Sequence, residues 1–178
     1  MDLRPSPIAG RWYQGDAASL AEAVDAYLEA AQVEKPAGEV IAVIAPHAGH
    51  IYSGPVAGYA FQMVRGLAFD TVAIMSPSHF HADGPLVTSA HDGYATPLGA
   101  VEVDRDGVAS LRDELAERLK LPGEAILPAI RRDREHAIEI ELPFLQRVLA
   151  SGFKLIPVML RDQSRLVAHA LGMALAKV

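Results

Sequence analysis

The sequence predicts one α/β domain over residues 1–178, with helices on both faces of a mostly parallel central sheet in a three-layer α/β/α arrangement. Three observations predict it. Apolar, β-branched runs of strand length recur at EVIAVIAP (39–46), TVAIMSPS (71–78) and FKLIPVML (153–160), the pattern of strands covered on both faces. Between them lie stretches with apolar residues at i, i+3, i+4 and i+7, the helical period. A chain of 178 residues, 51% hydrophobic and 21% charged, without an internal repeat, buries one sizeable core and not two.

Taken in order, residues 16–31 carry a capping residue, Asp16, and an apolar stripe of Leu20, Val24, Tyr27, Leu28 and Ala31, so they form an amphipathic helix. Lys35, Pro36, Ala37 and Gly38 end it before the strand at 39–46. Residues 55–66 open on Pro55, suited to a first helical position, and close at Gly66. With the strand at 71–78 they complete a βαβ unit, whose strands run parallel. PLVTSA (85–90) reads as a short strand and TPLGAVEVD (96–104) as an extended segment after a proline turn. Residues 106–119 present Val108, Leu111, Leu115 and Leu119 on one helical face. Residues 130–151 are helical in their second half, 153–160 form a third buried strand, and 162–177 form a last helix with Asp162 as its cap.

Composition removes several function classes. A net charge of −6, with basic residues grouped only at Arg131, Arg132 and Arg134, offers no footprint for nucleic acid. The absence of cysteine removes disulfides, zinc–thiolate sites and thiol nucleophiles. No apolar run reaches the ~18 residues of a membrane span and the first residues hold no signal core, so the expectation is a cytoplasmic, soluble protein with no membrane partner.

Chemistry therefore falls to His, Asp, Glu, Ser and Tyr. Five of the seven histidines lie between residues 47 and 91, and four occupy the loops that follow the first two strands. His47 (APH) and His79 (SPSH) stand at equivalent places, and adjacent parallel strands deliver their following loops to one cleft. Two imidazoles so held suit iron, zinc, copper or nickel. A single loop histidine is more often merely solvated, and the paired placement is what raises these two above that reading. His50 and His81 are candidates for substrate-facing or supporting roles, and His91 reads as a surface residue. Tyr52 and Ser53 either offer hydroxyls to a substrate or pack the loop. The glycines around His50 lack the spacing of a phosphate-binding loop. In REHAIEIELP (134–143), Glu135 and Glu139 share a helical face and repel each other unless bound to something. His136 is then a candidate acid/base and Glu135 a supporting carboxylate, against the alternative of an acid-rich first helical turn.

The segments AGRWY (9–13), IAPHAGHIYSG (44–54), SPSHF (76–80), YATPLGAVEVD (94–104), EHAIEIELPFL (135–145) and LIPVML (155–160) together resemble the Memo family, protein B of the AmmeMemoRadiSam system, across essentially the whole chain. The resemblance implies a fold similar to the class III extradiol dioxygenases, non-haem iron(II) enzymes that open catechol rings. It assigns His47 and His79 as metal ligands and His136 as a histidine beside the cleft. It also implies that the family continues beyond Val178 with a further strand and a segment bearing the third ligand, a cysteine or a glutamate, so that the chain is expected to lack the family's C-terminal part. Glu135 or Asp83 are then the candidate substitutes. An unpaired sheet edge would follow, with a homo-oligomer as its consequence.

The function expected on this basis is an iron-dependent, ring-cleaving dioxygenase acting on a small aromatic substrate, with iron(II) as the metal and copper or zinc as alternatives. Catalytic residues are His136, His50 and His81; Tyr52, Ser53 and Glu135 contact substrate; His47 and His79 hold the metal. The competing expectation is a binding or scaffold protein that takes a peptide or small ligand in the same cleft, and a third is a metal-dependent hydrolase.

Overall fold

The computed structural model describes residues 1–34, 37–131, 133–150 and 152–178. Lys35 and Pro36 of the proposed helix stop, Arg132 of the basic group and Ser151 at the end of the 130–151 stretch lie outside the described residues.

Helix α1 (Ala17–Ala30) starts where the Asp16 side chain accepts the Ser19 amide, a cap worth about 1 kcal/mol. Its buried stripe is Leu20, Val24 and Leu28, as the spacing predicts. Helix α2 (His50–Gln62) begins five residues earlier than expected. Gly49 stands at its N-cap, and Pro55 lies inside the helix and not at its start. His50, Tyr52 and Ser53 are therefore helical residues, not loop residues.

The sheet is built on β7 (Lys154–Leu160), buried along most of its length. One edge of β7 pairs in parallel with all of β2 (Thr71–Pro77). Its other edge is shared: β5 (Gly99–Val103) joins its first residues in parallel, and β3 (Leu86–Ser89) joins its last two antiparallel. Beyond β5 lie β4 (Gly93–Thr96), antiparallel, and then β1 (Leu3–Arg4); beyond β3 lies β6 (Ala129–Ile130). The fold is α/β, and its sheet is mixed, because the short strands β4 and β5 close through a short turn and tight turns join antiparallel strands.

Helix α3 (Arg105–Leu119) is capped by Asp104, whose side chain accepts the Gly107 amide, and ends at Lys120 in the left-handed conformation. A short helix α4 (Gly123–Ile126) follows. A single 3-10 turn at Glu139–Glu141 runs into α5 (Leu142–Val148), and α6 (Arg165–Leu175) is capped by Ser164, two residues past the expected Asp162. One apolar cluster joins β3, β5 and β7 to α3 and α6; a second joins α1, α2 and α5. Among the described residues no helix is long and apolar enough to cross a membrane.

The largest departure concerns residues 39–46, which form no strand. Among the described residues, positions 37–47 enter no backbone–backbone hydrogen bond, and Ile41 and Ile44 are 86% and 97% exposed. A β-branched run has the propensity for a strand, but a ladder requires a neighbour. The βαβ unit is thus present only as its helix and second strand.

Candidate metal centre

Three histidines from three distant stretches meet at one end of the molecule. His47 follows the segment 39–46, which ends in Pro46, His79 follows β2, and His136 precedes the 3-10 turn that leads into α5. One ligand nitrogen from each lies within 4.8 Å of the other two. The rings of His79 and His136 stack at 4.7 Å between centroids, with His47 at 5.3 Å from His79 and 6.1 Å from His136.

Glu135 organises this group from behind. Its carboxylate, 3% exposed, accepts the His79 amide at 2.5 Å, His79 Nδ1–H at 2.9 Å, the His136 amide at 2.8 Å and the Ala137 amide at 3.0 Å. Burial alone would raise this carboxyl, but the donated hydrogen bonds outweigh it and hold it below the ordinary carboxylate value. With Nδ1 engaged, Nε2 of His79 is the nitrogen left free for a ligand, the arrangement by which metal-binding imidazoles are oriented. Burial pushes the His47 and His136 imidazoles below the ordinary histidine value, and nearby imidazoles add to it, while the Glu135 charge opposes it. Both are consequently neutral at pH 7 and able to donate lone pairs.

The cluster opens into a cleft of about 580 Å³ lined by Arg11, Trp12, Pro46, His47, Ile51, Tyr52 and His136. Trp12 lies 4.2 Å from the His136 ring, centroid to centroid. Neither Arg11 nor Trp12 was marked by periodicity or motif chemistry; both lie in the segment 9–13, held by a turn in which their amides donate to the Ile8 carbonyl and tied to α2 by the Trp12 carbonyl, which accepts the His50 amide at 2.8 Å.

The other sequence candidates go elsewhere. His50 is 2% exposed, donates from Nε2 to the Ile140 carbonyl at 2.9 Å, and packs among Tyr13, Tyr27 and Phe144. Its position on the first turn of α2 turns it into the core and away from the cleft. Ser53 is buried and donates to the Ala48 carbonyl at 2.8 Å. His81 and Asp83 are exposed and outside the cluster, and Tyr52 is exposed at the cleft wall. His91, expected at the surface, is buried; its Nε2 donates to the Arg131 carbonyl at 2.8 Å, because β3 and β6 bring those residues together. Glu135 contacts the histidines and does not line the cleft.

A second buried network lies behind Glu135. Arg4 sends its guanidinium to Asp133 and Glu139 and to the Glu135 carbonyl, and Glu139 also accepts from Tyr13 at 2.7 Å and from Ser6. Glu135 and Glu139 do not repel each other across one helical face, since each is neutralised by its own donors.

Comparison with known proteins places this geometry in context. The family model described as Memo-like protein matches residues 4–178. The chain is similar to a MEMO1 family protein of Nitrosopumilus maritimus, 30% identical over 181 residues that cover 99% of this chain and 63% of the relative. A MEMO1 family protein of Methanococcoides burtonii is 30% identical over 98% of this chain and 61% of its own length. One from Thermotoga maritima is 35% identical over 82% of this chain and 50% of its own. The chain thus spans less than two thirds of the length of the relatives it matches.

Proposed function

The chain belongs to the Memo-like protein family, and from that premise we propose that it is a cytoplasmic non-haem iron protein performing extradiol-type ring opening on a small aromatic substrate. The convergence of His47, His79 and His136 beside an open cleft supports this reading. The same reading takes the fold as a three-layer relative of the class III extradiol dioxygenases.

The donor set fits the metal. Three imidazoles, one of them oriented by a buried carboxylate, are ligands that iron, copper and zinc all accept. The sequence resemblance gives His136 to proton handling; its nitrogen's place among the other two supports it as the third donor, in preference to Asp83 or to Glu135, whose oxygens already receive four hydrogen bonds. Iron, when bound, supplies redox chemistry and the positive charge that favours an ionised phenol.

The chain's own residues bind and orient the substrate. Trp12, Ile51 and Tyr52 give the cleft apolar and aromatic walls for a flat ring. The Arg11 guanidinium at the cleft supplies a cation to a phenolate or carboxylate on that ring. Glu135 holds His79 in one tautomer throughout.

Elemental analysis of anaerobically purified protein tests the reading. Near-stoichiometric iron, lost in His47→Ala, His79→Ala and His136→Ala, together with oxygen-dependent consumption of a catechol, is the expected result. Metal retained in His136→Ala with turnover lost would return that residue to proton transfer. Absence of metal in folded wild-type protein would overturn the proposal.

A further inference from the structure

Helices α3 and α6 pack on one apolar cluster, and their outer faces border a groove of about 800 Å³ that shares no lining residue with the histidine cleft. Four cations line it: Arg118 and Lys120 at the end of α3, and Arg165 and Lys177 at the two ends of α6. Glu117 is the one acid among the described residues that line it. The remainder of the chain holds twelve basic residues against twenty-one acidic ones, so this face is positive on a protein of net charge −6. Residues 163–178 carry no Asp or Glu.

Two of the cations are held from within the chain. Glu114 accepts Arg118 at 3.1 Å and Lys177 at 3.3 Å, one carboxylate serving both, and the buried Nε of Arg118 has no acceptor among the described residues. Lys120 and Arg165 are exposed and have no side-chain acceptor among the described residues. Arg165 is also the first residue of α6, where the partial positive charge of a helix N-terminus favours an acid over a cation. The nearest acid in sequence, Asp162, accepts the Ser164 amide at 2.8 Å.

Leu166 and Met173, 70% and 47% exposed, line the groove between Arg165 and Lys177. They stand on one face of α6, about two turns apart. A single exposed Leu or Met is ordinary; what distinguishes these two is the company of uncompensated cations. A phosphate backbone would take the cations and leave the aliphatic side chains in water, and a neutral apolar helix would do the reverse. Helices α3 and α6 offer no open strand edge, so an extended peptide gains no ladder here. A helix bearing both carboxylates and aliphatic residues satisfies every group.

We propose that the groove between α3 and α6 docks an acidic amphipathic helix of another protein. Apolar side chains of that helix at i, i+3 and i+7 meet Leu166 and Met173, and carboxylates along its flanks meet Lys120, Arg165 and Lys177. Arg165 and Lys177 lie roughly 18 Å apart at 1.5 Å per residue, which sets the docked helix at about three turns. The chain's own α1 does not qualify, because its apolar stripe of Leu20, Val24 and Leu28 is buried in its own core.

The probe is a synthetic peptide of about four helical turns with leucine at i, i+3, i+7 and i+10 and glutamate and alanine elsewhere, set against the same peptide with lysine for glutamate. Fluorescence anisotropy with the full chain is expected to show the glutamate peptide bound at least about tenfold more tightly than the lysine one. Lys120→Glu with Arg165→Glu keeps the fold, since both side chains are exposed and unpaired, and is expected to weaken binding by about tenfold or more. Leu166→Asn with Met173→Asn, also exposed, is expected to weaken it by about fivefold or more. Amide hydrogen exchange is expected to slow in α6 and the last turn of α3, and to stay unchanged around His47, His79 and His136. Equal binding of the two peptides, affinity indifferent to either double substitution, or protection on another face would overturn the proposal. So would an oligonucleotide bound as tightly as the glutamate peptide, which would give the cations to phosphates. A homodimer of the chain abolished by Lys120→Glu with Arg165→Glu would overturn it in favour of a second copy.

Discussion

Three glutamates between residues 135 and 141 meet three different environments, and their chemistry diverges accordingly. Glu135 is surrounded by N–H donors and stays ionised; Glu139 is raised by burial, against the Arg4, Tyr13 and Ser6 groups that contact it. Glu141 is buried without a hydrogen-bond partner among the described residues, and burial pushes its carboxyl up to about 8. The folded chain therefore retains a proton that the unfolded chain, with an ordinary value of 4.5, has released. Stability from this group is full below pH 4.5 and is lost as pH rises through about 8. Glu141→Gln, which cannot ionise, is expected to be more stable than wild type at pH 9 by roughly 2–4 kcal/mol, at 1.36 kcal/mol per pKa unit. At pH 4 the two should agree within about 0.5 kcal/mol, since both are then neutral at this position. Urea unfolding at the two pH values checks this, and an equal difference at both would contradict the ionisation argument.

At the scale of elements, α2 approaches α1 through two glycines on one helical face. A Cβ on Gly58 would lie 2.5 Å from the Tyr27 carbonyl oxygen, and one on Gly54 would lie 2.6 Å from the Tyr27 ring. Backbone cannot yield as a ring can. Gly58→Ala is therefore expected to destabilise by about 1–3 kcal/mol despite alanine's better helix propensity, and Gly54→Ala by less, as read from thermal midpoints. A gain in stability at Gly58 would mean the helices are free to separate. This close packing was not legible in the sequence, where Pro55 made a more natural helix start than Gly49. Misplacing that start by one turn cost the reading of His50, which looks like a loop ligand when placed before the helix and is a core residue when placed on its first turn. The convergence of His47 and His79 was more legible, because each follows a proline after an apolar run. Strands β2, β3 and β7 were legible too, for each has its ladder inside the chain. Residues 39–46 carry the same local signal, but pairing is a non-local property that β-branched residues cannot report.

The molecule as a whole is fastened at Arg4, which joins the first strand to residues more than 125 positions away. Its guanidinium, 2% exposed, donates to Asp133 at 2.5 Å, to Glu139 at 2.8 Å and to the Glu135 carbonyl. Asp133 in turn accepts the Glu135 amide at 3.1 Å, so both backbone groups of Glu135 are fixed by this pair while its side chain fixes His79. Burying one arginine with two carboxylates leaves an excess negative charge when the cation is removed, a loss that costs about 3–5 kcal/mol in buried pairs. Arg4→Met is expected to lower stability by that amount in urea unfolding. Arg4→Lys should recover less than half of it, because a point charge cannot reach Asp133, Glu139 and the Glu135 carbonyl in the geometry of the planar fork. The same variants link the frame to the site: displacement of Glu135 frees His79 Nδ1, and cobalt(II) affinity, followed by visible absorption, is expected to fall 10–100-fold, the range seen when a metal-binding histidine loses its orienting partner. If Arg4→Met lost stability but bound cobalt(II) as tightly as wild type, Glu135 would be held by its own side-chain hydrogen bonds alone, and the N-terminal strand would serve the fold without serving the histidines.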